Sequence, residues 1–467
     1  MHIGKRRELF VDTYLIERLQ DTRLKLHPPR PSGVAIRFDR PWEGRHTGYV
    51  TVLKDHDVYR MYYRGLPEAG EPSNSIKQVI CYAESSDGIA WTRPELRLFE
   101  TRGTRDNNVV WAGDGDLCHN FSPFIDTRPG VAPGERYKAI CGTQGSGLVV
   151  LCSSDGIHWS RWMEEPAIPP DPDLIRFDSQ NVAFWSEHEG CYVCYFRVWH
   201  GGYLKGHRSI ARQTSPDLVH WTAQTEMEFG NAPMEHLYIN QTHPYYRAPH
   251  IYIALPARFI SRETLLTDEE LEQFALHQYE DGTYDEAGGS AETLFMTSRG
   301  GNRYDRTFLE GLVRPGLDRR NWVCRCNYAA LGVVPTGSDE MSLYVGRHLA
   351  QPSVHLERLT LRVDGFVSVN APYGGGEMTS RPFQFEGREL LINYATGAGG
   401  FVQVELQDEA GTPLSGYTRD DSLPSTGDEV ERVVKWKKGS DLSGLEGGSV
   451  RLRFTMRDAD LYSIRFR

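Results

Sequence analysis

Ser85-Ser86-Asp87-Gly88-Ile89-Ala90-Trp91 decides the fold, because it returns as Ser153-Ser154-Asp155-Gly156-Ile157-His158-Trp159 and, loosened, as Thr214-Ser215-Pro216-Asp217-Leu218-Val219-His220-Trp221. A degraded copy is Thr297-Ser298-Arg299-Gly300-Gly301-Asn302-Arg303-Tyr304. Asp-Gly supplies the positive φ of a tight turn and the tryptophan opens the next extended run, so each copy predicts a hairpin between two strands. The copies recur about every 65 residues, and a period of that length means one supersecondary unit stacked several times.

Extended runs precede each turn. They are 48–53, 58–63 and 78–82 in the first unit, 121–125, 137–141 and 148–151 in the second, and 181–185, 191–196 and 209–213 in the third. With the run behind the tryptophan this makes four strands per unit, the signature of a propeller blade. A fourth unit begins near Leu237-Tyr238-Ile239-Asn240 and a fifth near Arg325-Cys326-Asn327-Tyr328, ending over 359–369. Residues 263–278 interrupt the fourth unit as the one expected helix, with Thr267-Asp268-Glu269-Glu270 as its capping box. The run Leu9 to Leu15 is expected to pair with the last blade and close the ring. The chain therefore reads as all-β: a five-bladed β-propeller over 1–370, then a C-terminal antiparallel β-sandwich over 371–467. In that second part 390–394, 401–406, 431–436 and 450–455 alternate at period two.

The composition suits this architecture. The 467 residues are 39 % hydrophobic and 25 % charged, with 10 Trp and 23 Tyr. That is enough chain for more than one core, and it is rich in the aromatics that favour strands and on which sugar rings stack. A formal charge of −11 with no basic run argues against nucleic acid or an anionic membrane as partner. No run of 18 apolar residues is present, and no apolar stretch follows the basic start at Lys5-Arg6-Arg7. Neither a bilayer span nor a secretory leader is expected, and the expected address is cytoplasmic. The eight cysteines lie mostly in apolar strand-like runs and are expected as free thiols. Cys191-x-x-Cys194 has no second pair with which to hold zinc.

Five units with S-x-D-G-x-x-W turns, followed by a sandwich, resemble the five-bladed glycosidases of glycoside hydrolase families 32 and 43. More closely, Glu8-Leu9-Phe10-Val11-Asp12, Phe38-Asp39-Arg40-Pro41-Trp42-Glu43-Gly44, 177–185 and Asp458-Ala459-Asp460-Leu461-Tyr462 look like a family-32-like group of environmental bacteria. The resemblance spans the whole chain and implies sugar chemistry. It also departs from both families. The W-x-N-D-P-x-G, R-D-P and E-C motifs of family 32 are absent, and where family 43 carries inner-strand aspartates this sequence has Arg45-His46-Thr47 and His119-Asn120-Phe121. The usual catalytic trio cannot be carried over, so the site is argued from position.

In a propeller the first strand of each blade lines the central channel, and side chains at its start converge on the axis. The segments 42–46, 116–120, 177–181, 234–240 and 322–328 are nominated on that ground. Glycoside hydrolysis needs a carboxylic acid and a second carboxylate, about 5–5.5 Å apart for retention or about 6.5–9.5 Å for inversion. Asp178 and Glu235, on adjacent blades, are the expected pair, and Glu43 is the third candidate. His46, His119, His236 and His250 fall in or near the entrances, where they suit hydroxyl binding, proton transfer or a metal. Arg197, Arg258 and Arg325 follow inner or second strands. Several inward guanidinium groups imply an anionic sugar or paired site carboxylates. Asn120, Gln180, Asn181, Asn240 and Trp322 complete the substrate-binding set. No metal ligands are assigned and no cofactor is expected, a divalent ion in the channel being the alternative. The turn aspartates 87, 155 and 217 are read as structural.

The expected activity is a glycoside hydrolase, exo-acting on a small oligosaccharide. A lyase or dehydratase on uronate-containing oligosaccharides, with His119 or His236 as base and arginines on the carboxylate, is the second reading. A non-catalytic glycan-binding propeller is the third. The expected partner is an oligosaccharide, and self-association through the sandwich stays open.

Overall fold

The computed structural model describes residues 1–66, 78–113 and 115–467. The chain is almost entirely β-structure and divides into two compact units. One comprises residues 30–336 and 341–360, the other 1–29, 337–340 and 361–467.

In the larger unit the sheets repeat where the sequence does. Gly48–Asp55, Val58–Gly65, Val79–Ser85 and Val109–Ala112 form one antiparallel four-stranded sheet. Ser122–Ile125, Tyr137–Cys141, Val149–Ser153 and Ser160–Arg161 form the next, and Val182–Ser186, Cys191–His200, His207–Ser215 and Thr225–Glu226 the third. The fourth stretch splits into two three-stranded sheets, one of which starts at His243–Tyr245. The last sheet holds Val334–Pro335, Glu340–Arg347, His355–Arg362 and Arg30–Arg37.

The repeated turn is built as its residue types dictate. Asp155 Oδ1 accepts from the backbone N–H groups of Ile157 and His158, both at 2.9 Å, and Ser153 Oγ from that of Gly156. Gly88 and Gly156 take φ of 73° and 78°, and in the loosened copy Leu218 takes the same conformation at 69°. The turns also join sheets. Tyr62 Oη donates to the Gly156 carbonyl at 2.8 Å, and Tyr344 Oη donates to the Gly88 carbonyl, so one link serves first sheet to second and last sheet to first. Near the last sheet Leu331 bonds both ways with the first inner strand, N–H to Val50 O and O to Val52 N–H, each at 2.8 Å. Gly332 permits this approach, since a Cβ there would stand 2.1 Å from Val52 O. The innermost strands of successive sheets are neighbours in turn, and Val334–Pro335 returns to Gly48–Asp55. This is a propeller arrangement around a channel.

The closing strand is Arg30–Arg37, antiparallel to His355–Arg362, and not Leu9 to Leu15. Glu8–Leu9 pairs instead with Ser449–Phe466, and Phe10, Leu15 and Ile16 are buried in the core of the smaller unit. Val367–Ala371 likewise lies between Arg23–Leu26 and Ser449–Phe466. The expected division into 1–370 and 371–467 is therefore redrawn: the apolar N-terminal run serves the sandwich core. In that unit two 18-residue strands, Leu390–Gln407 and Ser449–Phe466, pair along their length and bend at bulges after Asn393 and Thr396. The sheet closes over Phe383, Tyr394, Trp436, Phe454 and Phe466, all at most 1 % exposed.

The expected helix is present but short, Asp268–Gln273, with both halves of its capping box formed by Thr267 and Glu270. Leu266, Leu271, Phe274 and Leu276 bury into a local cluster, so the flanks of 263–278 pack as loop. No helix among the described residues is long and apolar enough to cross a membrane. The eight cysteines are free thiols.

Candidate active site at the channel mouth

The inner strands run in one sense. Lys54, Ile125, Trp185, Tyr245 and Pro335, at or beside their ends, line one end of the channel. His46, Tyr49, Arg64, Gln180, Arg325 and Tyr328 line the other, the mouth, where strands begin. His250 does not belong to the mouth: it follows the turn after Tyr245, on Ala248–Ala254, and its ring lies 6.2 Å from that of His188.

The three expected carboxylates meet different fates. Glu43 is fully buried and accepts from Tyr63 Oη at 2.6 Å, Arg93 Nε at 2.8 Å and the Arg40 N–H at 2.9 Å. Burial raises its pKa against these donors, and no face of it meets solvent, so it is a packed anchor and not a catalytic group. Glu235 is clamped by Arg258 Nη1 at 2.7 Å and Arg306 Nη2 at 2.6 Å. Burial opposes its ionisation, but hydrogen bonds from Arg306 and Arg258 outweigh this and hold its pKa below the usual range. Arg258 also pairs with Glu292. Asp178 alone is open, its side chain 57 % exposed while the Arg197 that it pairs with is 2 % exposed. Asp178 and Glu235 thus engage different arginines.

Several polar candidates are structural. Asn120 Nδ2 donates to the carbonyls of Gly142 and Phe177, Asn181 Nδ2 to Phe177 O, and Asn240 Nδ2 to Tyr195 O. Gln180 bridges Thr51 Oγ1 and Gln241 inside the channel wall. Trp322 donates to Gly316 O beside a separate surface groove with Arg262 and Arg314.

What converges at the mouth is a ring of guanidinium and aromatic groups. Arg64, 4 % exposed, donates to His119 Nδ1 at 3.3 Å and to His46 O at 3.2 Å, and stacks 4.5 Å from the Tyr49 ring. Arg197 and Arg208 lie 4.8 and 5.1 Å from the Tyr238 ring, which is 5.4 Å from Tyr328. His119 has its pKa pushed down to about 3, first by burial and then by Arg64, Arg325 and Arg197. His236 accepts the Arg208 N–H at 3.1 Å, with its own pKa lowered by burial, Arg208 and His207. Trp199 and Tyr203, at the tip of the hairpin Cys191–His200 and His207–Ser215, extend this wall outward.

His46, Asp285 and Glu286 place ligand-type atoms within 4.8 Å of one another. Their donors are already committed. Asp285 accepts from His46 Nε2 at 2.6 Å and Tyr279 Oη at 3.0 Å, and Glu286 takes Arg325 in a two-pronged pair. Sequence reasoning missed Tyr49, Arg64, Arg208, Asp285 and Glu286, and nominated Tyr238 and Tyr328 only as members of the segments 234–240 and 322–328. One signal for Arg64 existed: Tyr62-Tyr63-Arg64 ends its strand as Tyr195-Phe196-Arg197 does two sheets later.

No known family model matches the chain. A stretch of 148 residues is 29 % identical to the uncharacterised protein Rv1502 of Mycobacterium tuberculosis (strain H37Rv), covering 30 % of this chain and 43 % of that protein. The uncharacterised protein MT1551 of strain CDC 1551 matches to the same extent. The chain thus spans less than half the length of these curated relatives. Solved structures with a similar course include a glycoside hydrolase, at 12 % identity and a TM-score of 0.46, over 72 % of this chain and 92 % of that one. An N-acetylgalactosamine deacetylase from F. plautii, in complex with blood group B trisaccharide, gives 12 % and 0.45 over 73 % and 95 %. A fructofuranosidase of Schwanniomyces occidentalis, complexed with fructosylnystose, gives 9 % and 0.41 over 94 % and 96 %.

Proposed function

We propose that the chain is a carbohydrate-active enzyme whose sheets form five blades and whose channel mouth cleaves a glycosidic bond at the end of an oligosaccharide. The observation that carries this reading is Asp178, a carboxylate open to solvent at the mouth yet held in place by a buried arginine. An exposed carboxylate positioned by an arginine suits a base or nucleophile. Around it stand aromatic faces for a sugar ring, Tyr49, Tyr238 and Trp199. Exo action is proposed from the small pocket beside Arg64, Arg325 and Tyr328, about 50 Å³. The test is incubation of the purified chain with neutral and acidic oligosaccharides and mass analysis of products. Gain of one water per cleavage, lost in Asp178→Asn, supports hydrolysis; no cleavage of any glycan overturns the reading.

A second reading, elimination, is favoured by the neutral His119 among three guanidinium groups. Arginines on a uronate carboxylate would acidify the adjacent C–H. A base takes that proton, the neighbouring C–O bond breaks, the departing oxygen is protonated, and a carbon–carbon double bond remains in the sugar. The product then absorbs in the ultraviolet and carries no added water.

A further inference from the structure

Arg64 is almost wholly buried and has no carboxylate partner among the described residues. Its hydrogen bonds go to an imidazole nitrogen and a backbone carbonyl, and its Nε has no partner among them. Arg197, 2 % exposed, uses Nη2 on Asp178 and leaves Nε and Nη1 buried without acceptors. Among the described residues Arg208 has no carboxylate partner, and it keeps its Nε buried and unmatched. Arg325 is neutralised by Glu286, as Arg197 is by Asp178, and the remaining carboxylate, Asp285, faces His46. Among the described residues the mouth therefore holds four guanidinium groups against two carboxylates that pair with them. Tyr328 adds a buried hydroxyl without a partner.

An uncompensated buried guanidinium is strongly unfavourable unless an anion pairs with it, and several together repel one another. A protein keeps such an arrangement where a ligand supplies the charge. We propose that this cluster is a subsite for a carboxylate carried by the substrate, so that the sugar held at the mouth is a uronic acid. The planar fork of arginine matches a carboxylate in two parallel hydrogen bonds. The pocket of about 50 Å³ between Arg64, Arg325 and Tyr328 is larger than one water needs, about 10–15 Å³, yet too small for a sugar ring. The carboxylate enters it, and the ring stays outside against Tyr49 and Tyr238.

This inference rests on the mouth being the substrate site, and the experiment separates the two. The thermal midpoint of the full chain is measured with glucuronate, galacturonate, glucose, galactose and inorganic phosphate, for the unaltered protein and for Arg64→Met and Arg208→Gln. Uronates are expected to raise the midpoint by several degrees at saturation and the neutral sugars not at all. Arg64→Met is expected to abolish that shift while raising the ligand-free midpoint, because it removes an unpaired charge; a merely structural Arg64 would lower it. Arg208→Gln, at a half-exposed position, is expected to weaken uronate binding at least tenfold. Equal response to acidic and neutral sugars overturns the inference. A response to phosphate with none to uronates also overturns it, assigning the cluster to a free oxyanion. A uronate shift without cleavage of any glycan keeps the subsite and removes the enzyme reading, whereas cleavage of neutral glycans without a uronate shift does the reverse.

Discussion

Arg64 Nη1 meets His119 Nδ1 at 3.3 Å. Gln78 Oε1 lies 3.1 Å from the same nitrogen, so Nδ1 sits between a guanidinium that only donates and an amide oxygen that only accepts. Burial and the charges of Arg64, Arg325 and Arg197 hold its pKa near 3, and the ring stays neutral throughout the ordinary pH range. As a neutral ring it cannot deliver a proton as imidazolium.

This neutrality is visible in stability. The unfolded chain protonates a histidine near pH 6.5, while the folded chain does so only near 3 at His119 and near 4 at His243, which is lowered by burial. Stability is full above about pH 6.5 and falls as the pH drops below it, since the unfolded state binds protons first, by up to about 1.4 kcal/mol per pH unit for each ring. Urea unfolding at pH 7, 6 and 5 checks the slope, and His119→Gln is expected to make it shallower. An unfolding free energy that stays flat from pH 7 to 5 contradicts the burial of neutral rings.

The carboxylates are expected to separate by what their loss disturbs. Asp178→Asn lowers turnover by about 10²- to 10⁴-fold with an unfolding transition close to that of the parent. Glu43→Gln breaks the buried pair with Arg93 and is expected to cost about 3–5 kcal/mol of stability, with turnover per folded molecule little changed. Activity assays beside denaturant titrations distinguish these. Equal activity loss in both variants would return Glu43 to the site.

Glu235→Gln weakens a clamp. Arg306, whose side chain is 2 % exposed, loses its carboxylate partner, which is expected to cost about 1–3 kcal/mol. Calorimetry reads this directly. A stability-neutral variant with abolished turnover would instead make Glu235 the catalytic partner of Asp178.

The architecture was legible because it rests on local chemistry that repeats: Asp-Gly turns, strand-length apolar runs and a capping box all act within a few residues. The ring closure was misassigned because two apolar segments, Leu9 to Leu15 and Arg30–Arg37, offer strand-like runs near the start. Which of them meets His355–Arg362 depends on a core assembled with residues between 369 and 466, at the far end of the chain. The mouth was legible in part. Blade geometry nominated Asp178, His119 and Arg325, and Arg197 was picked out as following a strand-like run, whereas Arg64, on the equivalent second strand of the first sheet, was not, and Asp285 and Glu286 come from a long loop outside the nominated segments. Burial separated Glu43 from Asp178, and burial is a tertiary property.

The turn itself gives a graded test. Asp155→Ala removes two backbone hydrogen bonds and is expected to cost about 1–2 kcal/mol. Gly156→Ala is expected to cost more, because its φ is 78° and the new Cβ would stand 2.6 Å from Tyr62 Oη, displacing the link between two sheets. Chemical unfolding of the two variants settles the order; a milder Gly156→Ala would mean that the turn carries no inter-sheet contact.

Most direct for the central claim is product analysis by mass spectrometry and ultraviolet absorbance after incubating the purified chain with a panel of oligosaccharides with and without a terminal uronate. The account predicts release of the terminal residue from acidic glycans only, and none by Asp178→Asn. Cleavage confined to neutral glycans, or cleavage untouched by loss of Asp178, would contradict it.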